Sequence, residues 1–161
     1  MRFTKTLLTL VFTTGLASGF ESKISDVGRH APQLHSIRSI STLAKDHQLV
    51  LFVSSRCHWC HKFAPIVQSI SDEYGLTVKV ISFDGQPVKP FNQVIEAKKE
   101  NFRFFFKDQP PFAPVLFLQH TKTKHFEMLS EGASPKSTLV KTLHLYAQHG
   151  GIVSCAIKKS L

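Results

Sequence analysis

The chain is poor in several residue types that would announce other chemistries. It has three cysteines, one tryptophan and two tyrosines in 161 residues. Three cysteines are too few for the paired Cys-x-x-Cys ligand sets of a closed zinc site, and too few for a disulfide-stapled scaffold. Acidic residues are scarce, 11 against 20 Lys and Arg, with a formal charge of +9. The basic residues are scattered, with no Arg-rich helix and no aromatic RNA-binding motif. That pattern argues against a nucleic-acid partner and fits solubility plus attraction to acidic partners or membrane surfaces. No repeat and no low-complexity tract occurs, and past the N-terminus no apolar run is long enough to span a bilayer. What remains is a chain of one-domain length, 42% apolar with 14 Phe, ample for a core.

The N-terminus reads as an export signal over residues 1–19. "MRFTK" supplies two positive charges, "LLTLVF" a short apolar region, and "GLASG" the small residues for cleavage before Phe20. Without Arg2 and Lys5 the charge falls from +9 to +7. An uncleaved signal would instead act as a membrane anchor, the one route to the membrane. Export places the cysteines in an oxidising compartment, the periplasm.

Residues 20–33 read as a linker, 34–150 as the domain and 151–161 as a tail that is either an added strand or frayed. Leu34, Ile37, Ile40, Leu43 and Ala44 fall at helical spacing. "QLVLFVSS" is a continuous, partly β-branched apolar run, which suits a strand buried on both faces. Phe63, Ile66, Val67, Ile70 and Tyr74 predict a helix kinked at Pro65 and closed by Gly75. "LTVKVISFDG" predicts a strand ending in a turn at Asp84-Gly85. The spacing of Phe91, Val94, Ile95, Lys98, Phe102 and Phe105 predicts a further helix, although "FRFFF" also suits a loop or strand. "PVLFLQH" and "HFEML" around "TKTK" predict an antiparallel hairpin. Ser134 as N-cap and Pro135 at the first helical position open a last helix through Leu139, Val140, Leu143 and Tyr146. The order implies an α/β fold, a mixed central sheet flanked by helices, its first two strands parallel through a right-handed crossover.

The chemistry concentrates in "SSRCHWCHKFAP". Cys57 sits where a strand ends and Cys60 in the first turn of a helix. Unsatisfied N–H groups and the positive helix end favour a thiolate at the first sulfur, and the thiolate is the nucleophile. The second sulfur is close enough to close a small ring. Zinc ligation and an inert structural disulfide are the competing readings. Against zinc, Cys155 is distant, and His58 lies between the two cysteines, where it cannot easily converge with both. Arg56, His58, His61 and Lys62 surround the pair, and no acid lies between Asp46 and Asp72. Positive charge stabilises the reduced thiolate and makes the disulfide a better oxidant. Lys62 suits a solvated helix face equally well. Trp59 either covers the pair, offers a docking surface or simply packs.

The motif after a buried strand, with Pro65 at its spacing, resembles the thioredoxin superfamily. "FAPVLFL" is similar to that superfamily's cis-proline segment, which implies a cis Ala113–Pro114 bond and a loop that binds a substrate strand by β-addition. "LFVSSRCHWCHKFAPIVQSISDEYGLTV", "VISFDGQ" and the proline before "VLFL" resemble, more narrowly, the TrbB/TraF-type thioredoxin-like proteins of F-type conjugative transfer systems. The resemblance implies a thioredoxin-like fold over roughly Leu49 to Tyr146. It implies a periplasmic disulfide oxidoreductase or isomerase acting on exported cysteine-containing proteins, in assembly of a conjugative or type IV secretion apparatus. It implies catalytic Cys57 and Cys60 as a redox-active disulfide with no metal or organic cofactor, an environment of His58, Trp59 and His61, and substrate binding at Ala113 and Pro114. A redox partner must regenerate the pair. The alternative is a non-catalytic interaction subunit of a secretion or pilus machine. Leu51 stands where many thioredoxins carry a buried acid, which leaves water or His61 to take the proton from Cys60. Cys155 has no counterpart, and is either a buried thiol or an intermolecular crosslink.

Overall fold

The computed structural model describes residues 40–149. The expected signal at 1–19, the linker at 20–33, the start of the first helix and the tail with Cys155 lie outside the described residues. Residues 40–43 are helical. Five strands and three helices then follow: β1 His47–Val53, α1 His58–Tyr74, β2 Thr77–Ser82, β3 Ile95–Glu96, α2 Lys99–Phe106, β4 Val115–His120, β5 Phe126–Glu131 and α3 Lys136–His149.

The strands form one sheet in the order β3-β2-β1-β4-β5. β1 pairs parallel with β2 and antiparallel with β4, so it is central and both its edges are hydrogen-bonded. Its side chains alternate between two cores, which is why its sequence is apolar without alternation. Leu49, Leu51 and Val53 join the larger core with Phe63, Val67 and Ile70 of α1 and Leu139 and Leu143 of α3. Val50 and Phe52 face the other way, onto Phe105 and Phe106 of α2 and Phe117 of β4. The sheet therefore lies between α1 and α3 on one face and α2 on the other, a thioredoxin-like architecture.

The second core is largely aromatic. Phe52 meets Phe83, Phe105, Phe106 and Phe117 with ring centroids 5.1–5.9 Å apart, three of the four contacts T-shaped. Edge-to-face geometry sets the positive ring edge on the negative face and adds to area burial. "FRFFF" is thus a helix, and its phenylalanines glue α2 to the sheet.

α1 is assigned as one helix through Pro65 and ends at Gly75, whose φ of 72° is the left-handed conformation a glycine adopts without steric cost. One expectation is corrected. No helix starts at Phe91: Val88 and Phe91 form an isolated bridge, Ile95 and Glu96 pair with Ile81 and Ser82, and α2 begins only at Lys99. Helical spacing at Phe91 and Val94 reflects packing of a loop on the larger core, while the pairing of Ile95 with Ile81 is long-range and leaves no local signature. At the last helix, the Ser134 hydroxyl meets the Ser130 hydroxyl at 2.7 Å, and the Pro135 carbonyl accepts the first helical N–H groups.

Phe52 is fully buried. Phe52→Ala is expected to cost about 3–5 kcal/mol through lost burial and a residual cavity, measured as a lowered midpoint in urea unfolding.

Candidate active site

The end of β1 delivers the motif to the surface. After Val53 the chain turns through Ser54, Ser55 and Arg56, and Cys57 becomes the N-cap of α1 with extended backbone, φ −89° and ψ 109°. Its amide donates to the Ser54 carbonyl at 3.1 Å. Its sulfur accepts the Cys60 amide at 3.3 Å, the part an N-cap side chain plays toward an orphan N–H. Cys57 is partly exposed and Cys60 is completely buried, and both are thiols. Burial first, then a hydrogen bond with Cys57, pushes the Cys60 thiol up to about 12.

The chain returns to the pair from the opposite side. The Cys57 thiol points at the Ala113 carbonyl at 3.7 Å, and the Ala113–Pro114 bond is cis, as the resemblance implied. A second cis bond, Lys89–Pro90, was not anticipated. The Pro114 carbonyl accepts the Gly132 amide at 2.9 Å, which ties this loop to the end of β5. Cys57, Cys60, Ala113 and Pro114 thus converge, although more than fifty positions separate the two pairs in the chain.

The neighbours divide by role. Trp59 is 59% exposed, edge-on to His58, with the Lys62 ammonium 5.0 Å from its ring centroid. It therefore does not fill the core, and Lys62 is engaged in a cation–π contact. His61 donates from Nε2 to the Ser55 carbonyl at 2.7 Å, so that nitrogen is a donor and not a base. Leu51 is fully buried in the apolar core.

Sequence reasoning missed the carboxylate that serves this pole. Asp84, read only as part of a turn, accepts from the Ser54 hydroxyl at 2.9 Å and from the Ser55 amide and hydroxyl at 2.9 and 2.8 Å. Its other oxygen accepts from the Ser82 hydroxyl at 2.7 Å and the Gln86 amide at 3.3 Å. Burial acts to raise this carboxyl, but the hydroxyls of Ser82, Ser55 and Ser54 and the Gln86 amide outweigh it. They hold Asp84 well below the usual carboxylate range. An acid closing the strand next to the cysteine strand was the available signal, since parallel pairing puts both strand ends at one pole.

The family described as "TraF: F plasmid transfer operon protein" matches residues 22–144, most of the chain. The chain belongs to the TraF family. Among relatives of this TraF-family protein, "Protein TrbB" of Escherichia coli (strain K12) is 29% identical over 89 residues, 55% of this chain and 49% of TrbB. The chain thus spans about half the length of that curated relative. Two solved structures are also similar. MTB dsbF, in mixed oxidised and reduced forms, has TM-score 0.44 and 15% identity over 66% of this chain and 84% of its own. A thiol:disulfide interchange protein of the thioredoxin family from Chlorobium tepidum TLS has TM-score 0.45 and 18% identity over 65% and 83%. Among the described residues of the TraF-family chain, no group of three or more His, Cys, Asp or Glu is arranged to hold a metal, and no helix is long and apolar enough to cross a membrane.

Two predictions follow from burial and charge. Iodoacetamide at pH 8 is expected to label Cys57 and spare Cys60 in the folded protein, with both labelled after denaturation, as read by peptide mass mapping. A carboxyl held low in the fold stabilises fully above its unfolded value of about 3.9, and that contribution is lost as pH falls toward the folded value. Asp84→Asn is therefore expected to flatten the loss of unfolding free energy below about pH 4, measured by urea titrations at stepped pH.

Proposed function

We propose that this TraF-family protein is a periplasmic thiol–disulfide oxidoreductase and isomerase acting on exported cysteine-containing proteins, in assembly of a conjugative transfer apparatus. One observation carries the reading. A partly exposed cysteine caps a helix, lies within hydrogen-bonding reach of a buried second thiol, and faces the carbonyl that precedes Pro114. The thioredoxin-like fold and the family's transfer-operon description support it, as does an N-terminal export pattern for the compartment.

The chemistry is exchange. A Cys57 thiolate, received by the Cys60 amide and the positive end of α1, attacks one sulfur of a substrate disulfide. A mixed disulfide forms and the other substrate sulfur leaves as a thiolate. Cys60 then gives up its proton and attacks the Cys57 sulfur, which releases the reduced substrate and leaves the Cys57–Cys60 disulfide. If a substrate thiol attacks first, the substrate leaves with rearranged pairing and Cys57 is regenerated.

Ala113 and Pro114 hold the substrate backbone as an added strand beside the sulfur. His58 and Trp59 form the exposed rim that a substrate meets, and His61 anchors the loop. No metal or organic cofactor enters these steps. A separate redox partner returns the pair to its starting state and sets the net direction.

The test is Cys60→Ser expressed in the native host. Mixed disulfides with exported proteins are expected on non-reducing gels, absent in the Cys57→Ser, Cys60→Ser double variant. A lack of trapped species, with plasmid transfer unaffected by Cys57→Ser, would falsify the enzymatic reading in favour of a non-catalytic subunit.

A further inference from the structure

The five hydrogen bonds that converge on one carboxylate at the edge of the reactive loop exceed what a turn needs. An aspartate that only closes a turn is satisfied by local N–H groups, as Asp84 is by the Gln86 amide. Here three further donors come from Ser54 and Ser55, about thirty residues earlier in the chain. They are the first two residues after β1 and lead directly to Cys57. The Ser54 carbonyl in turn takes the Cys57 amide, and the Ser55 carbonyl takes His61 Nε2. The same two residues therefore connect Asp84 to the N-cap cysteine and to the first turn of α1.

We propose that Asp84 is a positioning residue for the Cys57–Cys60 pair, its carboxylate fixing the Ser54–Ser55 loop that presents Cys57 and setting a negative charge at the same pole of the sheet. This rests on reading the two cysteines as a redox pair. Among the described residues no cation is bonded to this carboxylate; its contacts are to hydroxyls and amides of Ser54, Ser55, Ser82 and Gln86, so its charge is not neutralised within the network. That charge acts on Cys60 in the same direction as burial, the larger cause, and as the Cys57 hydrogen bond. Because Asp84 is held firmly ionised, it is a poor base, and it does not take the Cys60 proton itself. The acid that many thioredoxins place on the cysteine strand is replaced here by Leu51, and a charge is supplied from the adjacent strand end instead.

The consequence is a sign. Reduction of the pair by glutathione converts the Cys57–Cys60 disulfide and two glutathione thiols into the dithiol and one glutathione disulfide, moving two electrons and two protons. The disulfide and the dithiol are both uncharged, whereas the ionised form of the reduced pair, the form that attacks, carries a thiolate. A fixed negative charge nearby disfavours that ionised reduced form and makes the pair less oxidising where it is populated. Removing the charge does the opposite.

The test is the equilibrium of the purified full chain in glutathione buffers at pH 9, where thiolate is populated, read by alkylation and peptide mass mapping of Cys57 and Cys60. Asp84→Asn is expected to shift the equilibrium about tenfold toward the dithiol, which is about 30 mV more oxidising. An equilibrium within twofold of the unsubstituted protein, or shifted toward the disulfide, overturns the proposal. Ser55→Ala supplies the second arm, since it keeps the charge but removes a loop tether. It is expected to slow attack of Cys57 on glutathione disulfide severalfold while leaving the equilibrium within threefold. If Asp84→Asn fails to fold, an unchanged attack rate in Ser55→Ala overturns the proposal. The equilibrium is a property of the pair alone, so failure of the unsubstituted protein to trap or reduce protein substrates sinks the proposed function and leaves the Asp84 comparison readable.

Discussion

Parallel pairing of β1 with β2, in a register that sets Val53 beside Ser82, governs the reactive end of the molecule. Parallel strands end at the same pole, so the residues after each strand meet there. One exit is Ser54 to Cys57 and the other is Phe83 to Gln86. The Phe83 amide extends the pairing by one bond to the Val53 carbonyl, 2.8 Å away. A register shifted by one residue would turn Asp84 away from both serines, because side chains alternate between faces along a strand. The two cores hold that register: each residue of β1 from Leu49 to Val53 is completely buried, with the side chains committed to one face or the other.

The antiparallel half of the sheet completes the pole from the other side. β4 runs against β1 with Val115 beside Phe52, so the segment before β4 arrives where β1 ends. Pro114 and Ala113 thereby reach Cys57 without any sequence proximity. The bond from the Gly132 amide to the Pro114 carbonyl passes this placement on to β5, and the irregularity between Leu116 and Phe117 lies within the same stretch. Thiol, backbone acceptor and carboxylate come from three loops that strand pairing brings to one pole.

Burial then separates the two sulfurs chemically. They belong to one turn of α1, yet Cys57 stands at the cap, open to solvent and to an N–H donor, while Cys60 points into the apolar core with Phe63 and Ala64. A charge is costly in that environment, so one sulfur is suited to attack and the other to waiting with its proton. The carboxylate of Asp84 lies at the same end, as do the exposed cations Arg56 and Lys62. The surroundings of the pair therefore include a half-buried carboxylate and exposed cations, and no single residue sets them.

Local patterns in the chain specified β1, α1, β2, the hairpin and α3, because each buries a face whose period is visible in adjacent residues. Spacing alone located Cys57 and Cys60 at a strand-to-helix junction, since cap geometry is a local property. Tertiary structure alone decided the rest. β3 exists because Ile95 finds Ile81, and the helix expected from Phe91 gives way to a loop anchored on the larger core. Asp84 became part of the site because β2 lies parallel to β1. Long-range pairing is set by which strands share a sheet and in what register, and a carboxylate in a turn marks the pole it lies at but not the loop that will bind it.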